Sequence, residues 1–318
     1  MTSPRILIAV AAVSAVAAFT PAAHAATITY DGTTLVYTDD GGEANDVIAA
    51  EGFTDGYVKF QEYGQAQINF PADKCQVAGD GVECQTPTAL RVGLAGGDDE
   101  YSLGFGFPNI PADISAGDGN DTIKDDYAVA RNIKVDGGAG NDTIEGYKGD
   151  DTLIGGPGDD TLKGGAGKDT VQGGDGNDIL EGDKYEAPSA DVIDGGAGFD
   201  VMEEYSIPSN DINPPASVTQ DGVADDGRPG ENDNVTSVEK ITSHVNGTYN
   251  GPDGADEIWI WSNITSGDST INGLGGNDKL TGEDDSETID GGAGDDTIQG
   301  GYGNDTIVGG PGKDKINS

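Results

Sequence analysis

The 318-residue chain has two histidines, two cysteines, two tryptophans and two methionines, and 16 lysines and arginines against 58 aspartates and glutamates. Each shortage removes a class of function. His24 falls in an N-terminal leader, so His244 is the one histidine left to the mature chain and an H-E-x-x-H zinc site cannot be assembled. No G-x-S-x-G elbow occurs, and Gly267-Asp268-Ser269 reads as a polar turn rather than an esterase serine. At a formal net charge of −42 with no basic patch, the chain is not expected to bind nucleic acid or an anionic membrane. Beyond the leader no apolar run is long enough for membrane insertion. Paired carboxylates for glycosidic chemistry survive a count of acidic residues, but nothing singles out a pair. The inventory points to a binding protein and not to an enzyme.

Residues 1–25 read as a signal peptide. Arg5 supplies a positive start, residues 6–19 an apolar stretch, and Ala23-His24-Ala25 a small-x-small cleavage site, so a secreted, extracellular product is expected to begin at Ala26. The two cysteines, Cys75 and Cys84, stand in DKCQVAGDGVEC around a Gly79-Asp80-Gly81 turn. In an exported chain they are expected to form a disulfide.

What the chain has in abundance is ordered. Residues 137–181 read GGAGNDTIE, GYKGDDTLI, GGPGDDTLK, GGAGKDTVQ, GGDGNDILE, and the frame returns over 273–317 as GLGGNDKLT, GEDDSETID, GGAGDDTIQ, GGYGNDTIV, GGPGKDKIN. Position six is Asp142, Asp151, Asp160, Asp169 and Asp178, then Asp278, Glu287, Asp296, Asp305 and Asp314. Imperfect copies at 116–124, 195–203 and 251–259 add Asp121, Asp200 and Asp256. Glycines at positions one, two and four let the chain wrap tightly and turn carbonyls toward a common centre. Oxygen donors without histidine or cysteine suit a hard cation, and calcium above zinc or copper. Position eight is always aliphatic, from Ile144 to Ile316, as the inward side chain of a very short strand. A solvated glycine-rich linker would need neither the nine-residue frame nor this apolar position.

One strand and one turn return the chain only halfway, so two repeats make one coil and eighteen residues one rung. Carboxylates eighteen apart then stack in the pairs 142/160, 151/169, 160/178, 278/296, 287/305 and 296/314, giving roughly six sites between successive rungs. Six divalent ions would cancel about 12 charges of the surplus. Without them the stacked carboxylates repel across a thin core, so the coil is expected to fold only with calcium bound.

The unit resembles G-G-x-G-x-D-x-U-x, the nonapeptide of the RTX (repeats-in-toxin), or hemolysin-type calcium-binding, family. That resemblance implies an all-β, right-handed parallel β-roll with two nonapeptides per turn and Ca2+ between the turns. Residues 26–136 look like a degenerate β-solenoid segment that caps the roll, carrying a copy GGEANDVIA at 41–49 and β-like runs at 57–60 and 90–94. Blocks 137–203 and 251–318 form the roll, and 204–250 is an acidic, proline-bearing insertion with a strand-like run at 235–241. That insertion reads as a solvated acidic loop ahead of a second metal site.

In EIWIWS, residues 257–262, strand alternation turns Ile258 and Ile260 inward and Trp259 and Trp261 outward. The pair either packs beneath the 204–250 insertion or stacks on an extracellular glycan. Calcium binding is the leading reading, followed by an adhesion or carbohydrate-binding module and then by an accessory module of a hydrolase.

Overall fold

The computed structural model describes residues 26–39, 46–50, 57–62, 69–78, 81–104, 107–126, 128–183, 189–204, 216–220, 222–226, 233–244, 246–261, 268–282 and 285–317. The leader, the first half of the 41–49 copy, the Gly79-Asp80 turn and Gly267 lie outside them. The described residues are all β, and no helix among them is long and apolar enough to cross a membrane.

Each nonapeptide makes one short strand, and successive strands alternate between two facing sheets. Thr143–Lys148, Thr161–Ala166 and Ile179–Asp183 lie parallel in one sheet, with Ile144 opposite Leu162 and Leu162 opposite Leu180. Thr152–Pro157 and Thr170–Asp175 lie parallel in the other, with Leu153 opposite Val171. The register is therefore eighteen residues per rung, as the spacing predicts. Position eight fills the gap between the sheets: Ile144, Leu153, Leu162, Val171, Leu180, Leu280, Ile289 and Ile298 are all buried. The stack of apolar side chains thins at its C-terminal end, where Ile307 is half-buried and Ile316, on the last described strand, is 47% exposed.

The segment before residue 137 only partly continues this plan. Ala89–Gly93, Glu100–Leu103, Ala112–Asp118 and Thr122–Lys124 are parallel rungs. Thr27–Asp31 pairs antiparallel with Thr34–Thr38, and Tyr57–Glu62, Gly81–Gln85 and Cys75–Ala78 form an antiparallel set beside Asp46–Ala50. Cys75 and Cys84 are directly opposite in that set and are joined by a disulfide. Its core uses large side chains, among them Tyr37, Phe60 and Tyr101, where the repeats use one small aliphatic each. A broad antiparallel end closes the apolar interior that a bare rung would expose to water.

The insertion is built into the roll as well as bulging from it. Asn234–Thr236 ends one sheet, and Ala216–Val218 starts a third sheet that continues through Gly247–Asn250 to Thr306–Val308. The strand-like run at 235–241 is two strands, Asn234–Thr236 and Lys240–Ser243, on different sheets, with Ser237 between them at φ 55°. Side chains bridge the change of sheet. The Asp226 carboxylate accepts from Thr219 N and Val235 N, and Gln220 exchanges two hydrogen bonds with the Val238 backbone. Buried polar groups of an irregular segment need such partners.

Candidate metal centre

Position six immediately precedes each strand, so parallel pairing stacks these residues along the two edges of the roll. On one edge the register aligns Asp99, Asp121, Asp142, Asp160, Asp178, Asp200, Glu239, Asp256, Asp278, Asp296 and Asp314 in a single column. The other edge carries Asp151, Asp169, Asp191 and Asp233, and later Glu287 and Asp305.

At the regular positions one oxygen of the stacked carboxylate holds the rung before it. Asp142 N donates to Asp160 Oδ1 at 2.7 Å, Asp160 N to Asp178 Oδ1 at 2.8 Å, and Asp151 N to Asp169 Oδ1 at 2.8 Å. The pairs 278/296, 287/305 and 296/314 repeat the bond at 3.0, 3.2 and 3.3 Å. All six pairs read from the spacing are therefore neighbours. Position five runs a second ladder in the reverse sense, with Asn141 Oδ1 accepting from Asp159 N and Asp159 Oδ1 from Asn177 N.

The second oxygen has no such partner. Oδ2 of Asp121, Asp142, Asp151, Asp160, Asp169, Asp178, Asp200, Asp278 and Asp296, and Oε2 of Glu287, are buried without a hydrogen bond. Except for Asp121, whose repeat opens on Ala116, these oxygens face the first glycine of their own repeat. A Cβ on Gly137 would collide with Asp142 Oδ2 and lie 2.8 Å from the Gly155 carbonyl oxygen, and Gly146, Gly155 and Gly291 show the same arrangement. Each turn thus holds a carboxylate oxygen beside a carbonyl oxygen from the next rung, in space that glycine alone leaves open. Among the described residues no three His, Cys, Asp or Glu side chains converge closely enough to hold a metal ion by themselves. A cation here would take carboxylate oxygens from stacked rungs and complete its shell with carbonyls, a donor set that fits calcium.

The electrostatics carry the same message. Burial pushes Asp178 and Asp200 up to about 6, Asp142, Asp151 and Glu287 to about 7, Asp256 to about 8 and Asp169 to about 9. Neighbouring carboxylates add to the effect, Asp160 on Asp142 and Asp191 on Asp169, and the bond from the rung before opposes it. A column of like charges removed from water is costly unless a cation joins it.

One known repeat family matches the segments that carry these carboxylates. Residues 134–162, 154–184, 188–202, 264–298 and 281–316 match the RTX calcium-binding nonapeptide repeat (4 copies). The chain carries RTX calcium-binding repeats. Set in a parallel solenoid, they make the molecule a calcium-binding β-roll. No curated protein matches the chain.

The structure adds members that the RTX frame does not pick out. Asp99, Asp191, Asp233 and Glu239 stand in the columns, but their spacings to the next member are not eighteen: Asp169 N reaches Asp191 Oδ1, Asp191 N reaches Asp233 Oδ1 and Asp200 N reaches Glu239 Oε2. All four keep an acid-x-apolar triplet, as in Asp191-Val192-Ile193, and that triplet was the available signal. Ser269 occupies position six on the second edge, its Oγ accepting from Gly247 N at 3.3 Å. The ladder is interrupted at Asp256, both of whose carboxylate oxygens are buried without a hydrogen bond.

The second edge of the RTX roll begins differently. Ile133, not an acid, precedes Asp151 in register, and its N–H donates to Asp151 Oδ1 at 2.8 Å. Beside it the Arg131 side chain is fully buried, with Nε 2.8 Å from Asp125 Oδ1, a bond to the Pro108 carbonyl at 3.2 Å and the guanidinium 5.3 Å over the Phe107 ring. The Arg131 charge also opposes the rise of Asp151. This end of the edge holds a covalently supplied cation.

Proposed function

We propose that this is an exported protein whose repeat blocks fold when calcium enters the stacked turns, and that calcium-dependent folding and binding, not catalysis, is its activity. The observation that carries the reading is the row of buried carboxylate oxygens without hydrogen-bond partners. A buried polar group left unsatisfied costs about 1–3 kcal/mol, and more when charged, so a repeated row of them needs a repeated ligand. The position-six residues named above supply the carboxylates, at roughly six sites from the regular pairs and more where Asp121, Asp200 and Asp256 extend the column. Export follows from the leader at 1–25 and agrees with the Cys75–Cys84 disulfide, which belongs to an oxidising compartment. Outside the cell calcium is abundant enough for sites that are weak one at a time.

A calcium titration of chelated, full-length mature protein followed by circular dichroism tests the reading. A cooperative gain of β-signal and protease resistance, poorly reproduced by magnesium, is expected. Equal β-signal and resistance in chelator would overturn it. Intact mass of the secreted product checks export: it should start at Ala26 and be two hydrogens lighter than the dithiol.

A further inference from the structure

The outer face of the long sheet changes character in its C-terminal half. Lys240–Ser243, Glu257–Ile260, Lys279–Thr281, Thr297–Gln299 and Lys315–Asn317 lie side by side and in register. Alternation buries Ile241, Ile258, Ile260, Leu280 and Ile298, and so sends the neighbouring side chains outward. One outward row reads Thr242, Trp259, Thr281, Gln299, Asn317, every member uncharged. In the same row nearer the N-terminus stand Lys163, Glu181 and Glu203, whereas here the charges stand in the other outward row, at Lys240, Glu257, Lys279 and Lys315, and leave the Trp259 row polar and uncharged.

Both tryptophans of the chain stand on this face. The Trp259 and Trp261 rings stack with centroids 5.8 Å apart at 14°, and His244 stacks on Trp261 at 6.0 Å. Lys240 Nζ lies 5.8 Å over the Trp259 ring, and Glu257 holds Lys279 at 2.7 Å and Lys240 at 3.6 Å. Trp261 is nevertheless 42% exposed. The insertion therefore supplies the flanking His244 and Lys240 without removing the aromatic group from solvent. An exposed tryptophan held rigid by stacking is the informative surface feature, because its apolar area is presented at little further cost in entropy.

We propose that this face binds an uncharged polysaccharide. The apolar faces of its pyranose rings would pack on the tryptophans, and its hydroxyls would meet the row of threonine, glutamine and asparagine side chains. That row repeats at the strand spacing of about 4.8 Å and crosses five strands, so an extended chain running along the solenoid axis matches it where a lone monosaccharide would use one step. The net charge of −42 opposes a polyanion at long range, and of the three lysines beside the row, Lys240, Lys279 and Lys315, the first two are held by Glu257; the alginate arm of the test below reads whether the lysines outweigh that field. A protein partner is disfavoured because the face lacks the broad apolar centre of such interfaces. The inference rests on the calcium-loaded roll being the folded form.

The test uses calcium-loaded full-length mature protein. Cello-, xylo- and chito-oligosaccharides are titrated while tryptophan fluorescence is read, since both reporters stand on the face, and depletion by cellulose, xylan and chitin is compared with alginate. Binding of at least one uncharged series is expected, weakened tenfold or more by Trp261→Ala and less by Trp261→Phe. The calcium midpoint and circular dichroism of the variants should match the parent, which separates failure of this inference from failure of the calcium reading. Binding only to alginate, binding unchanged in Trp261→Ala, or no binding by a protein that folds with calcium would each overturn it. So would a dimer in sedimentation that Trp261→Ala dissolves, because the face would then be a contact between copies.

Discussion

Asp142 and Asp160 are joined across one rung: the Asp142 backbone N–H donates to Asp160 Oδ1 at 2.7 Å, while Asp160 Oδ2 stays buried beside the Gly155 turn without a hydrogen bond. A single side chain thus serves two purposes, one oxygen clamping the backbone of the previous turn and the other facing the space for a cation.

The two purposes separate by substitution. Asp160→Asn keeps an acceptor for Asp142 N and loses the charge, so chelated protein should be no less ordered while the calcium midpoint rises. Asp160→Ala should lose both. Asp160 belongs to two regular pairs and Glu287 to one, so Asp160→Asn should raise the midpoint and reduce cooperativity more than Glu287→Gln, each lost charged ligand costing about 1–3 kcal/mol. Calcium titrations by circular dichroism check this. Equal effects at Asp160 and Glu287 would remove the shared-ligand argument.

Chelated protein should be more ordered in acid than in alkali. A carboxylate raised above its ordinary value supports the fold while protonated and withdraws that support as pH rises through its folded value. Asp178 and Asp200 at about 6, Asp142 and Asp151 at about 7, Asp256 at about 8 and Asp169 at about 9 define the window of loss. Calcium displaces those protons, so its midpoint should fall over the same window. Dichroism and protease resistance in chelator, compared at about pH 5 and about pH 9, decide it. Greater order at the alkaline end would contradict the prediction.

Leu274 occupies position two of its repeat at φ 61°, where the next rungs place Gly292 at 85° and Gly310 at 88°. Its side chain is 52% exposed and gives little packing in return. Leu274→Gly should stabilise the calcium-loaded roll by up to about 1 kcal/mol, the relief of left-handed strain less the entropy of an added glycine. Gly292→Ala should cost about 1–3 kcal/mol, because its Cβ would meet the Leu274 carbonyl as well as the strained angle. Thermal melts of the two variants should move in opposite directions.

Arg131→Met should destabilise the protein by about 3–5 kcal/mol, because Asp125 would be left buried without its partner. Removing both charges, with Arg131→Met and Asp125→Leu together, should recover much of the loss. Denaturant melts in the presence of calcium measure the cycle. An additive double variant would mean that the pair is not coupled.

Much of the roll is legible in the sequence because it is repetitive. A nine-residue frame fixes the period, the inward residue and the stacking of carboxylates eighteen apart, since each step depends only on neighbours a fixed distance away. Of the antiparallel N-terminal end only the pairing of the two cysteine-bearing strands was legible, from the turn between Cys75 and Cys84. Nothing local in Tyr57–Glu62 states whether it will pair parallel or antiparallel, and closing the open end decides that. The column itself was only partly legible: Asp99, Asp191, Asp233 and Glu239 join it across loops of variable length, where counting residues fails and register alone brings them into line.

The sequence by itself determined the repeat, its oxygen donors and the outward pair Trp259 and Trp261. Only the tertiary structure decided that the two RTX blocks share one continuous carboxylate edge, that an insertion starts a new sheet without breaking that edge, and that His244 stacks against Trp261. The physical reason is that parallel strands pair by backbone hydrogen bonds indifferent to the length of the connection between them. A rung can therefore absorb an excursion of any length while its position-six residue returns to the same place.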